Sequence, residues 1–250
     1  MWTSKTRSIA LLLAVAASAE PARADVDPVS RRDNYADAWL RLDLDRVGVQ
    51  LWAGTTFGLG PVDLASNLVL TQTLPGVVDP LQHPAFDARL GDDYRAPTLR
   101  AELGPALTTG GFFFLPKLGL GYDFEREQLA PLVPQLMIVV EGGPLYVESW
   151  NQFYLYSPFE RGAQDSFYTR DLILLALSNA WALGPQVELV VALHNGPGAA
   201  LRSLPLGAAV NFAPSESLTL GLFAGVELEP SARNAQHDYL AGRFTLAYVF

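Results

Sequence analysis

The feature that most constrains this chain is a side-chain period of two. In Phe244-Thr-Leu-Ala-Tyr-Val-Phe250, large apolar side chains sit at Phe244, Leu246, Tyr248 and Phe250, with smaller or more polar ones between. An extended strand with this pattern has one greasy face and one different face. A helix does not, because its apolar positions recur every three or four residues.

The same rhythm recurs from Ala38 onward, with turn residues between segments. Twelve strands are predicted, at about 38–44, 47–57, 62–74, 96–107, 112–124, 132–141, 145–157, 166–182, 186–195, 204–212, 218–228 and 238–250. Ten or fourteen remain compatible with the pattern. In the second, Val47, Val49, Leu51, Ala53 and Phe57 oppose Gly48, Gln50, Trp52 and Gly54. In the fifth, Phe112, Phe114, Leu118, Leu120, Tyr122 and Phe124 oppose Lys117, Gly119, Gly121 and Asp123. In the ninth, Val187, Leu189, Val191 and Leu193 oppose Gln186, Glu188 and His194. In the eleventh, Leu218, Leu220, Leu222, Val226 and Leu228 oppose Thr219, Gly221, Gly225 and Glu227.

Connections alternate in length. Tight ones fall at Gly58–Pro61, Thr108–Gly111, Gly142–Pro144, Leu183–Pro185 and Ala213–Ser217. Longer ones fall at Pro75–Arg95, Glu125–Pro131, Pro158–Asp165, Gly196–Ser203 and Glu229–His237, with the tight Asp45-Arg46 as the exception. Two features conflict with a simple ladder. Pro105, Pro116, Pro134 and Pro205 lie inside predicted strands, where proline removes a hydrogen bond. Arg170 and Asp171 are adjacent, so one must face outward unless a bulge intervenes.

The N-terminal region reads as an export signal. Lys5 and Arg7 precede the apolar run Ile9–Ala17, and Ala22-Arg23-Ala24 is a small-x-small cleavage site, with Ala17-Ser18-Ala19 as a second candidate. The run is about half of the ~20 residues a spanning helix needs, and no later stretch reaches that length. Residues 1–24 are therefore expected to be a signal peptide. Residues 25–37 are expected to be a polar periplasmic tail or plug, and 38–250 a single all-β domain. The chain has no cysteine, which excludes disulfides and thiolate chemistry. Removing Lys5, Arg7, Arg23 and Glu20 from 17 basic and 26 acidic residues leaves 14 and 25, a net charge of −11. Nucleic acid is not an expected partner for such a surface.

The alternating strands, the unequal connections and the ending on Phe250 together resemble the outer-membrane β-barrel proteins of Gram-negative bacteria, of the small channel-like type. The resemblance implies a closed antiparallel up-and-down transmembrane barrel in the cell outer membrane. It also implies that Phe244, Leu246, Tyr248 and Phe250 form the assembly signal read by the barrel-assembly machinery. Outer-membrane lipid is then the outer partner and small polar solutes the inner one.

If the polar faces line a lumen, its acids are Asp43, Asp63, Glu102, Asp123, Glu141, Glu148, Glu188 and Glu227, and its bases Arg41, Arg100, Lys117 and Arg243. Surplus carboxylates favour cations. Tyr146, Glu148, Trp150, Gln152 and Tyr154 form the densest aromatic and polar stripe, suited to a ring-bearing solute or to packing against a plug. A salt-bridge network closing the lumen is the alternative. No catalytic, metal or cofactor motif is present. His83, His194 and His237 fall near the outer rim, where solvated histidines are the plain reading. His194-Asn195-Gly196 is faintly similar to a segment of outer-membrane phospholipases, whose nucleophilic serine has Ser203 as its nearest downstream counterpart here. A narrow passive channel with weak cation preference is the expected function. A closed structural or adhesive barrel is the first alternative, and a lipid-modifying barrel enzyme the second. None of these readings calls for a cofactor.

Overall fold

The computed structural model describes residues 38–45, 48–58, 62–73, 97–109, 111–124, 126–193, 200–229 and 240–250. The expected signal peptide, the 25–37 segment and all three histidines lie outside them. The described strands are β1 (Ala38–Asp45), β2 (Gly48–Gly58), β3 (Asp63–Thr73), β4 (Thr98–Thr109), β5 (Phe112–Asp123), β6 (Gln128–Gly142), β7 (Leu145–Tyr154), β8 (Asp165–Ala176), β9 (Trp181–Leu193), β10 (Ala200–Ser203), β11 (Pro205–Phe212), β12 (Leu218–Glu227) and β13 (Leu240–Val249).

Each pairs antiparallel with its neighbours, and β1 pairs with β13, so the sheet closes. Both β10 and β11 pair with β9, on either side of Leu204. They are one interrupted strand, and the barrel has twelve staves. At one end the connections are short and both the start of β1 and the end of β13 are found. The opposite end carries the longest connections, those between β3 and β4, β7 and β8, and β12 and β13, although β1 and β2 are only two residues apart.

The prolines are accommodated one seam at a time. In an antiparallel strand successive N–H groups point to opposite neighbours, so a missing N–H opens only one seam. The β4–β5 ladder is broken between Leu103↔Leu118 and Leu107↔Phe114, the interval in which Pro105 faces Pro116. The two share one gap, while each stays in register with its other neighbour, Leu64 and Leu136 respectively. Pro134 lies where the β6–β7 ladder stops at Gln135↔Gln152 and resumes at Leu132↔Leu155. Pro205 opens β11 just after the break at Leu204.

The eighth strand differs from expectation. It ends at Ala176 instead of running to 182, the turn is Leu177–Ala180, and Trp181 opens β9. The Leu177 N–H donates to the Trp181 carbonyl at 2.8 Å. Gly184-Pro185, expected as the turn, lies inside β9. Gly184 is needed there because a Cβ would run into the Ile173 carbonyl oxygen. Arg170 and Asp171 are not separated by a bulge: Arg170 is buried inside, and Asp171 is paired with Ser149 and Val187 on the outer face.

Outward positions form an apolar belt. Leu68, Leu103, Leu118 and Leu222 are each more than half exposed. A contiguous surface of this kind is stable against hydrocarbon, and a closed barrel leaves no unpaired strand edge there.

Candidate functional site

The interior is layered. Toward the short-turn end it is packed with apolar side chains. Phe113, Leu115, Met137, Val139, Tyr146, Leu172 and Leu174 belong to a buried cluster that reaches around the wall to Ala65, Ala106, Ala182 and Ala209. The floor follows from three runs apolar on both faces: Phe112–Leu115, Met137–Val140 and Leu172–Leu175. Each turns one pair of side chains inward and the other toward the belt, the pattern of a strand buried on both sides.

Above the floor, Trp52 on β2 and Trp150 on β7 meet across the lumen, with ring centroids 5.0 Å apart. Arginines flank the pair. The Arg100 guanidinium lies 5.5 Å from the Trp52 ring and 5.5 Å from Tyr154. Arg41 and Arg170 lie 5.9 and 4.9 Å from Trp150. An arginine stacks well on an aromatic face because its planar cation is weakly hydrated.

Each arginine is also held by a carboxylate. Arg100 Nε donates to Glu102 Oε1 at 2.6 Å, while Lys117 Nζ and Asn67 Nδ2 reach Glu102 Oε2 at 3.2 and 3.1 Å. Arg170 donates to Glu148 at 2.5 Å, and the Tyr146 hydroxyl donates to the other Glu148 oxygen at 2.6 Å. Arg41 donates to Asp43 at 2.9 Å, and Thr245 donates to the second Asp43 oxygen at 2.5 Å. Nearer the long-loop end Arg243 spans both oxygens of Glu188 at 2.9 and 3.1 Å, joined by Gln186 and Tyr168. Buried ions of this kind persist only when paired and hydrogen-bonded.

Most of the residues expected to face inward are found inside the barrel. Arg100, Glu102, Lys117, Asp123, Tyr146, Glu148, Trp150, Gln152, Glu188 and Glu227 are buried inside. Tyr154 and Arg243 are half-buried and line a small recess of about 30 Å³ with Asp43, Gln50, Gln152 and Arg170. Glu141 is half-buried near the short-turn rim, and Asp63 is exposed at that end. Of the terminal residues, Phe244 and Phe250 are exposed, and Leu246 and Tyr248 share their outward face. The reading missed Arg170, Tyr168, Asn67, Gln135 and the closing role of Trp52. Arg170 was discoverable: it falls in the same alternate series as Leu172 and Leu174. Ser203 is buried inside, where its hydroxyl donates to Glu227 at 2.5 Å, away from the lipid face a lipid-modifying serine would need.

No protein-family model matches the chain, and no curated protein matches it. Solved structures do. The NanC porin superposes with a TM-score of 0.52 at 6% identity, covering 85% of this chain and 98% of that one. The KdgM porin, solved in complex with disordered oligogalacturonate, gives 0.49 at 10% identity with the same coverage. A protein from a study of in-meso crystallisation of membrane proteins gives 0.51 at 11%, covering 84% and 82%. The shared feature is the fold, the closed twelve-strand barrel of outer-membrane porins.

Proposed function

We propose that this chain is an outer-membrane barrel through which small polar solutes pass passively, with weak cation preference, restricted at the Trp52–Trp150 layer. The observation that carries the reading is a polar, ion-bearing layer across the middle of the barrel. A barrel needed only for stability gains nothing from ions there, since buried pairs are often less stable than apolar packing. One buried donor in that layer, Trp52 Nε1, has no hydrogen-bond partner among the described residues. Water or a solute oxygen would satisfy it. The recess toward the long-loop end supplies an entrance.

Inward-facing carboxylates are Asp43, Glu102, Asp123, Glu141, Glu148, Glu188 and Glu227, against Arg41, Arg100, Lys117, Arg170 and Arg243. That is seven against five, with the arginines and the lysine engaged by carboxylates, so selectivity is weak. Export through the N-terminal signal and insertion through the Phe244–Phe250 strand belong to the same reading.

Single-channel recording of the reconstituted protein under a potassium chloride gradient tests it. Discrete steps with a reversal potential displaced modestly toward the potassium potential are expected. A reversal potential on the chloride side would overturn the cation preference. One observation favours the closed structural barrel as a second reading: the apolar floor at the short-turn end. Absence of steps in both the natural protein and Trp150→Ala would establish it.

A further inference from the structure

Among the described strands, the apolar belt is most polar on β7 and β8. On the outer face of β7 and β8, Ser149 pairs with Asp171 and Asn151 with Thr169. The ladder then sets Phe153 opposite Phe167 on the long-loop side, their rings 4.8 Å apart, and Val147 opposite Ile173 on the other. Laterally the four polar residues are bordered by Leu136 and Ile138 of β6 and by Val187 and Leu189 of β9. They form a polar island in the middle of two spanning strands. Apart from Asp165 at the rim, Asp171 is the one carboxylate that the described ladders put on an outward position.

Local contacts do not neutralise it. The Thr169 hydroxyl reaches Asp171 Oδ2 only at 3.4 Å. Asn151 Nδ2 donates to Ser149 Oγ at 3.0 Å, which leaves the Ser149 O–H to donate elsewhere. A carboxylate held against hydrocarbon is costly, and ionisable groups at membrane depth normally find a partner.

We propose that this island is the centre of an interface between two copies of the chain, related by a two-fold axis along the membrane normal between β7 and β8. Such an axis exchanges the two strands at constant height. The ladder sets Ser149 directly beside Asp171, and with strands tilted by about 35–45° the two lie within about 4 Å of the same height, a side chain's reach. Rotation therefore brings each Asp171 carboxylate toward the other copy's Ser149 hydroxyl, while Thr169 stays buried within its own copy. This contact occurs twice, as an isologous interface requires. The two carboxylates stand apart on opposite sides of the axis. The Phe153–Phe167 rows and the Val147–Ile173 rows then meet as an apolar rim. Polar side chains commonly join membrane-spanning elements in this way. The inference rests on the membrane-barrel reading and is independent of conductance.

The test uses the full chain in phospholipid vesicles and in detergent. The natural protein is expected to sediment as a dimer. Asp171→Leu should keep heat-modifiable gel mobility, the mark of a folded barrel, and dissociate about tenfold or more readily. Because the chain lacks cysteine, two tagged populations can be mixed, one carrying Ser149→Cys and the other Asp171→Cys. One natural Ser149–Asp171 contact survives in that pair, and a disulfide-linked heterodimer is expected. Leu68→Cys, on β3, should not cross-link. A monomeric natural protein, a dimer unaffected by Asp171→Leu, or cross-linking no stronger than at Leu68 would overturn the proposal. In each of those cases a folded barrel in the membrane fraction would still stand.

Discussion

Trp52 and Trp150 sit on nearly opposite walls of the barrel, yet their rings are in contact at 5.0 Å between centroids. Two large side chains, each backed by an arginine, close a cross-section that backbone geometry alone would leave open. A twelve-strand barrel lies between those filled by side chains and those that hold an open channel, so the inner residues decide which it becomes.

Trp150→Ala should therefore open the Trp52–Trp150 layer. In planar bilayers the conductance step of Trp150→Ala is expected to exceed that of the natural protein, and Trp52→Ala should behave alike. Each variant should also lose roughly 3–5 kcal/mol of stability in urea titrations, the usual cost of truncating a buried tryptophan. An unchanged step size would locate the constriction elsewhere.

Glu148 is the sole carboxylate seen to hold Arg170 within a salt-bridge distance. Glu148→Gln should cost roughly 3–5 kcal/mol, because it strands a buried cation. Glu148→Gln combined with Arg170→Met should recover much of that loss. Urea unfolding followed by tryptophan fluorescence measures both. Equal losses in the single and double variants would show that the pair is not coupled.

The two faces should respond differently. Leu189→Arg and Leu220→Arg put a cation on the lipid face, at a cost of roughly 2–4 kcal/mol near the midplane. Thr219→Arg, on the inner face near the short-turn end, should be milder. Folded fraction by heat-modifiable gel mobility gives the comparison, and equal damage would mean that the outer face does not meet hydrocarbon.

Phe250 is two-thirds exposed, and its N–H donates to the Ala38 carbonyl at 3.0 Å. Replacing it with aspartate should reduce assembly much more than Ala247→Ser, which alters an inner position of the same strand. Pulse-labelled assembly in cells separates the two. Similar yields would remove Phe250 from the assembly signal.

The staves were legible in the sequence because a period of two survives wherever one face is greasy and the other is not. The alternation of 112–124 and 218–228 gave both faces correctly. Legibility failed where that contrast vanishes. Leu172-Ile-Leu-Leu175 is apolar on both faces, so nothing marked the floor as distinct from the belt. Gly184-Pro185 carries turn residues but lies within a strand, because the glycine admits a neighbouring carbonyl and the proline falls in a gap of one ladder. The meeting of Trp52 with Trp150 is a contact across the lumen, and no local periodicity encodes it. Interior charges were recovered from strand parity. Arg170 escaped because its neighbour Asp171 breaks the outer face, and that anomaly is the one now assigned to an interface.

The seam between β1 and β13 joins the first and last described strands through pairs such as Trp39↔Val249 and Leu42↔Leu246. Asp43 and Thr245, 202 positions apart, fasten it from inside. Contacts so distant in sequence are entropically the last to form. Until they do, two strand edges stand open, and hydrocarbon offers them nothing to bond. The ring is therefore complete only when this last ladder forms. A damaged last strand would leave two edges unpaired at once, that of β1 on one side and that of β12 on the other.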